Sequence, residues 1–202
     1  FNIIDYKNVD LLIDATGSKQ LAEELEKVTI NKNLKLIQTN SSDKKSKKII
    51  FGVNENDSEY KSDHKICSST CDANGCATIL KAINSFNEIE YGSITIMHPW
   101  SNYQNLIDGP SMMYSEKNKI YNNYSLGRTA PDNLIPRNTS CIDALSEIWP
   151  KFKGKFQGMC IRVPTSIICG STLYLKLTHN TNIEEINNLL LESDQCKNNL
   201  LK

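Results

Sequence analysis

The chain reads as an α/β segment followed by an α+β segment. Three observations predict this: a strand, a glycine turn and a capped helix near the start; a strand running straight into a helix at His64–Ile83; and two long strands followed by a final amphipathic helix. With 39% hydrophobic and 23% charged residues over 202 positions, the chain can bury one substantial core or two smaller lobes.

Each element follows from its local pattern. Val9–Asp14 is a short apolar run ending at Ala15-Thr16-Gly17, and Ser18 caps a helix over Lys19–Val28. Strands are expected at Leu34–Gln38 and Lys48–Val53, separated by the polar, lysine-rich segment 39–47, which reads as a solvated loop. His64–Ser68 is a strand, and Thr70 then caps a helix whose buried face carries Cys76, Ile79, Leu80 and Ile83. Tyr91–Met97 alternates as a strand and delivers His98 at its end. Residues 99–138 read as one long polar loop, punctuated by Asp108-Gly109-Pro110 and Pro131, and a loop of that length is usually functional. A short helix over Cys141–Ile148, capped by Thr139 or Ser140, precedes strands at Gly154–Val163 and Ile168–Leu177. Asn182 caps a last helix with Ile183, Ile186, Leu189 and Leu190 on one face.

Charge and composition exclude several classes. The 23 basic and 23 acidic side chains balance, so no global field favours nucleic acid or an acidic membrane. No apolar run is long enough to span a bilayer and the first residues carry no signal-peptide pattern, so a cytoplasmic protein is the default. The seven cysteines are scattered. Cys71 and Cys76 have no second pair nearby to complete a zinc site, so the spacing predicts no metal, and most of the thiols should be small buried residues in a reducing compartment.

Cys71 stands apart because it falls in the first turn of a helix. Free N–H groups and the helix dipole there favour a thiolate, the form that attacks carbonyls. His98 is the best acid/base candidate of the three histidines, since it ends a strand and opens a long loop. His64 precedes a strand and His179 sits in a polar turn, which leaves both with structural roles. Arg162, at a strand end beside Val163-Pro164-Thr165, suits either a structural ion pair or an anion site.

At these residues the chain resembles the glyceraldehyde-3-phosphate dehydrogenase family. Thr70-Cys71-Asp72-Ala73-Asn74 is similar to the family's Ser-Cys-Thr-Thr-Asn signature, and the interval of 27 residues from Cys71 to His98 equals the family's nucleophile-to-histidine spacing. His98-Pro99-Trp100-Ser101-Asn102-Tyr103-Gln104, Gly127-Arg128-Thr129-Ala130, Asn133-Leu134-Ile135-Pro136, Thr139 and Gly158-Met159 with Arg162-Val163-Pro164-Thr165 follow in family order. Upstream, Val9 to Gly17 and Gly52-Val53-Asn54 are also typical.

The resemblance implies the C-terminal part of a Rossmann-type dinucleotide-binding domain over residues 1–69 and most of a mixed-sheet catalytic domain over 70–202. It implies an NAD- or NADP-dependent oxidation of a small aldehyde, phosphorylated or not, through a thioester on Cys71, with His98 as partner. Thr70, Ser101, Thr139, Ser140 and Arg162 would bind the substrate and the attacking phosphate, and Thr16, Gly17 and Ser41 would contact the cofactor. A place in glycolysis and a homotetramer follow from the same likeness. The family's Gly-x-Gly-x-x-Gly and its closing strands are not in this sequence, so it reads as a partial chain that should bind NAD weakly by itself.

Several positions depart from the pattern. Asp72 stands for a threonine, Ser140 for a glycine, Asp143 for a lysine and Thr172 for an aspartate, while Trp100 adds bulk and Ser101 for threonine keeps the hydroxyl. Asp72 either complements the helix dipole and points outward, or faces the pocket and opposes phosphate. The alternatives to the family activity are therefore a relative with another aldehyde or acyl acceptor, a semialdehyde dehydrogenase on a similar two-lobed plan, and a catalytically degenerate binding module.

Overall fold

The computed structural model describes residues 7–32, 34–39, 46–57, 62, 64–102, 104–112, 120–121, 125–198 and 201. Its first layer is a parallel sheet. Strand β1 (Leu11–Asp14), helix α1 (Lys19–Lys32) and strand β2 (Lys35–Gln38) form a β-α-β unit, joined by β3 (Lys47–Lys48) and β4 (Lys65–Cys67) in the order β1-β2-β4-β3. Ser18 starts α1 as expected, its hydroxyl accepting from Leu21 N at 3.3 Å.

The strand expected over Lys48–Val53 stops at Lys48. The Asn54 side chain takes over the backbone beyond it: Ile50 N donates to Asn54 Oδ1 at 2.8 Å and Asn54 Nδ2 donates to Lys48 O at 2.9 Å. Gly52, at φ 77°, completes the turn in a backbone region that favours glycine.

Helix α2 (Cys71–Phe86) carries the main core. Thr70 caps it, accepting from Ala73 N at 3.2 Å, and Ala73, Cys76, Ala77, Leu80, Ala82 and Ile83 are buried. Burying Leu80 and Ile83 alone stabilises the fold by about 1.5–3 kcal/mol each. The second sheet has the order β10-β5-β9-β8, built from β5 (Ile89–Pro99), β8 (Ile135–Arg137), β9 (Phe156–Val163) and β10 (Gly170–Leu177). Strand β5 is parallel to β9 and antiparallel to β10. Its Ile94 and Ile96 face the core with Cys160 and Phe156, against α2 and α3 (Cys141–Ile148).

Among the boundaries that differ from the sequence reading, two bear on the site. Strand β5 runs on to Pro99, so His98 lies inside the strand. The segment 99–138 also contains a short hairpin, β6 (Ser111–Met112) with β7 (Ile120–Tyr121), and ends in β8, which pairs with β9. Strand β8 has no strand signal in the sequence, since it has three residues and contains Pro136. As an edge strand it tolerates the missing N–H.

The last helices are α4 (Ile183–Glu192) and α5 (Asp194–Lys197). Asn182 and Glu185 form a reciprocal capping box on α4, yet Ile183 is exposed and only Ile186, Leu189 and Leu190 are half-buried. A buried Lys48 pairs with Glu147 and ties β3 to α3, while Lys81 Nζ donates to Gly52 O and Val53 O at 2.9 Å. No described helix is long and apolar enough to cross a membrane.

Candidate active site

The start of α2 is set by a sharp turn after β4. Ser69, buried and at φ 67°, takes the left-handed conformation that serine adopts at a cost, and swings the chain from strand into helix. Asn74 locks this turn, donating to Ser68 O at 2.7 Å and to Thr70 O at 2.8 Å. Cys71 is thereby fixed in the first helical turn, at the rim of a cavity of about 1070 Å³.

Strand β5 brings His98 to the same rim. Its Nε2 lies 3.4 Å from Cys71 Sγ, and its Nδ1 lies 2.7 Å from Pro99 O. Arg162 is the cross-strand partner of His98 in the parallel β5–β9 register. Its Nη1 donates to Pro99 O at 2.7 Å and also contacts His98 Nδ1. With the ring proton on Nδ1, that N–H donates to Pro99 O and leaves the Nε2 lone pair facing the thiol. With the proton on Nε2, Nδ1 accepts from Arg162. Both arrangements hold the ring plane in place.

Cys71 is the exposed thiol of this site, whereas Cys67, Cys76, Cys141 and Cys160 are buried. Cys141 donates to Cys76, which holds the Cys141 thiol far up and draws Cys76 down. The thiol of Cys71 is itself pushed up, opposite to the lowering expected from its helix position. Partial desolvation of the sulfur at the cavity rim is the main cause and the Asp72 carboxylate, whose Oδ1 lies 3.6 Å from Sγ, is the next; the Asp72 backbone N–H pulls the other way. Asp72 thus lines the cavity beside the sulfur, which decides between the two orientations open to it from sequence.

The cavity gathers the expected side chains: Thr70, Ser101, Thr139, Ser140 and Arg162 all line it with Cys71 and His98. The hydroxyl oxygen of Thr139 accepts from Cys141 N at 3.1 Å at the start of α3, so that hydroxyl, rather than the side chain of Ser140, serves the helix end. Two helix N-termini, those of α2 and α3, therefore open on one cavity. Arg162 is buried, forms no ion pair among the described residues, and keeps an unpartnered Nε. The cavity also holds Arg137 and Asp143. Arg137 carried no sequence signal, and only the β8–β9 pairing brings it here.

Thr16 and Gly17 stand outside this lining, at the C-terminal end of β1. Thr16 N and Oγ1 donate to Asp14 Oδ1 at 3.0 and 2.7 Å, and Gly17 turns at φ 68°. Thr39, at the end of β2, does line the cavity. Ser41 lies outside the described residues.

Residues 70–201 match the family described as glyceraldehyde 3-phosphate dehydrogenase, C-terminal domain. The chain belongs to the glyceraldehyde-3-phosphate dehydrogenase family. It is 32% identical over 191 residues to glyceraldehyde-3-phosphate dehydrogenase 2 of Saccharomyces cerevisiae, covering 94% of this chain and 54% of that protein. It is likewise 33% identical to glyceraldehyde-3-phosphate dehydrogenase 3 of the same yeast, with the same coverage. With glyceraldehyde-3-phosphate dehydrogenase 1 of Kluyveromyces marxianus it shares 30% identity over 178 residues, 88% of this chain and 50% of that one. The chain spans about half the length of the curated relatives it matches. Membership makes this an oxidoreductase-family chain of mixed α/β architecture.

Proposed function

We propose that this protein oxidises a small aldehyde through a thioester on Cys71, with NAD or NADP as cofactor, as the glyceraldehyde-3-phosphate dehydrogenase name of its relatives suggests. The observation that carries the proposal is the 3.4 Å approach of Cys71 Sγ to His98 Nε2 at the mouth of a cavity lined by hydroxyls and a buried arginine. Residues 1–69 would be the later part of the dinucleotide-binding domain and 70–202 the catalytic domain.

Two observations make the first sheet a suitable cofactor platform. Dinucleotides bind outside the carboxyl ends of parallel strands, where Thr16, Gly17 and Thr39 stand. Asp14 Oδ2 and Gln38 Nε2, on paired residues at that edge, are buried without partners. Bound NAD would supply the hydride acceptor.

In the thiol chemistry, the Nε2 lone pair of His98 takes the Cys71 proton and Sγ forms a bond to the aldehyde carbon. The carbonyl oxygen becomes an oxyanion held by the Cys71 backbone N–H and the protonated His98. Protonated His98 gives its proton to that oxygen, forming a hemithioacetal, and takes it back as hydride leaves the carbon and the thioester forms. An acyl acceptor then adds, the carbon–sulfur bond breaks, and the pair of electrons returns to Sγ. Thr70, Ser101, Thr139, Ser140 and Arg162 would hold phosphate groups, since hydroxyls and a guanidinium donate several hydrogen bonds to one tetrahedral anion. The unpartnered Nε of buried Arg162 and the two helix N-termini support an anion in this cavity.

A second reading keeps the thioester and changes the acceptor. Asp72 and Asp143 both line the cavity, and carboxylates there oppose inorganic phosphate. Water or an amine would then release the acyl group. Tyr91, Met97 and Tyr174, large side chains exposed on the second sheet, support assembly into an oligomer such as a tetramer, and a cytoplasmic location accords with the chemistry.

The test is cofactor reduction by the purified protein with glyceraldehyde 3-phosphate, with and without inorganic phosphate. Activity that disappears in Cys71→Ala supports the proposal, and full turnover by that variant refutes it. Phosphate-independent turnover selects the second reading.

A further inference from the structure

The cysteine spacing pointed away from a metal, but the fold gathers a ligand set of another kind. Cys71 Sγ, an Asp72 carboxylate oxygen and His98 Nε2 all lie within 4.8 Å of one another. We propose that Cys71, Asp72 and His98 together bind a zinc ion, with the fourth tetrahedral position open to the cavity. This goes beyond the dehydrogenase reading and does not depend on it.

The distances carry the proposal. Bonds of about 2.3 Å to sulfur and about 2.0–2.2 Å to nitrogen and oxygen, at tetrahedral angles, set the donor atoms roughly 3.3–3.6 Å apart. The observed Sγ to Nε2 separation is 3.4 Å and the Sγ to Oδ1 separation is 3.6 Å. Two of the three donor pairs therefore already stand at coordination distance. The third pair, carboxylate oxygen and imidazole nitrogen, lies within 4.8 Å.

The donor chemistry selects the ion. A thiolate, an imidazole and a carboxylate suit zinc, whereas magnesium and calcium prefer oxygen throughout. Pro99 O, 2.7 Å from His98 Nδ1, provides the outer contact that orients a ligating imidazole with its Nε2 lone pair toward the ion. Charge argues the same way. Asp72 beside a Cys71 thiolate places two negative charges together, and a dication turns that repulsion into binding energy. The cap and the Asn74 side chain fix the backbone that carries two of the ligands.

Zinc here would occupy the sulfur lone pair that attacks an aldehyde, so metal binding and thioester formation exclude each other. Asp72 would then be a residue that makes the nucleophile available to metal control.

The experiment is a titration of the reduced, metal-free protein with zinc chloride alone against a chromophoric chelator, with no aldehyde or cofactor present. Cobalt substitution reports the geometry. The expected result is one zinc per chain and, with cobalt, a thiolate-to-metal absorption band lost in Cys71→Ser. Asp72→Asn should weaken zinc binding by about tenfold or more, since losing a charged ligand costs at least what losing an outer-shell partner does. Circular dichroism of the variants confirms the fold. Absence of stoichiometric binding, retention of the site in Cys71→Ser, or equal affinity in Asp72→Asn would overturn the proposal. None of these readouts requires dehydrogenase activity, so failure of that activity leaves them interpretable.

Discussion

Replacing Asp72 by asparagine keeps size and the backbone N–H but removes a charge 3.6 Å from the Cys71 sulfur. At that separation two unit charges repel by about 4–5 kcal/mol at an effective dielectric near 20 and by about 1 kcal/mol in bulk water. The sulfur lies at an open rim, so solvent screening holds the effect near the lower bound, roughly 1–1.4 kcal/mol. The sign follows from the thiol equilibrium: a neighbouring carboxylate disfavours the thiolate and raises the pKa, so Asp72→Asn lowers it. Burial remains, and the midpoint moves down without losing that upward contribution. Below the midpoint, about 1.4 kcal/mol gives about tenfold more thiolate, while a less basic sulfur is intrinsically about threefold less nucleophilic. Iodoacetamide should thus alkylate Cys71 about threefold faster in the variant at neutral pH. The assay is peptide mass spectrometry over a pH series, in the presence of a chelator. Equal or slower labelling, or an unmoved midpoint, would refute the electrostatic account of this site. Equal labelling of Cys71 and the exposed Cys169 in the native protein would favour the inert, binding-module alternative.

Two further outcomes follow from the packing. Glu147→Ala leaves the buried Lys48 ammonium without its partner and should cost about 2 kcal/mol, tempered by the half-exposed carboxylate, seen as a Tm lower by roughly 4–8 °C in calorimetry. Arg162→Lys keeps the charge but loses the planar group that grips Pro99 O and the His98 ring. It should lower kcat/KM by about 10²-fold with folding intact, and a change confined to KM would mean that Arg162 acts only as an anion holder.

The helix after Thr70 was legible from sequence because its signals are local: a cap, an acidic first turn and apolar residues at helical spacing. Sequence also placed His98 near a strand end, and the family interval paired it with Cys71. What brings Arg162 to the His98 ring is the parallel register of β5 and β9, a pairing across 64 positions that no local pattern encodes. The same register, through β8, brings Arg137 into the cavity. Ile49-Ile50-Phe51 looked like a strand because β-branched and aromatic residues favour one, but a single asparagine three positions on captured the backbone. The thiol departs from its local signal for a related reason. The helix start favours thiolate, yet burial and the carboxylate of the next residue outweigh it, and both depend on side-chain placement.

The central claim is that Cys71 forms a covalent acyl bond with an aldehyde. Acid quenching of the purified protein after brief exposure to aldehyde and NAD, followed by peptide mass spectrometry, tests it directly. An acyl mass on the Cys71 peptide that requires both compounds and disappears on treatment with hydroxylamine is the expected result. No adduct despite turnover, or an adduct on another cysteine, would contradict it.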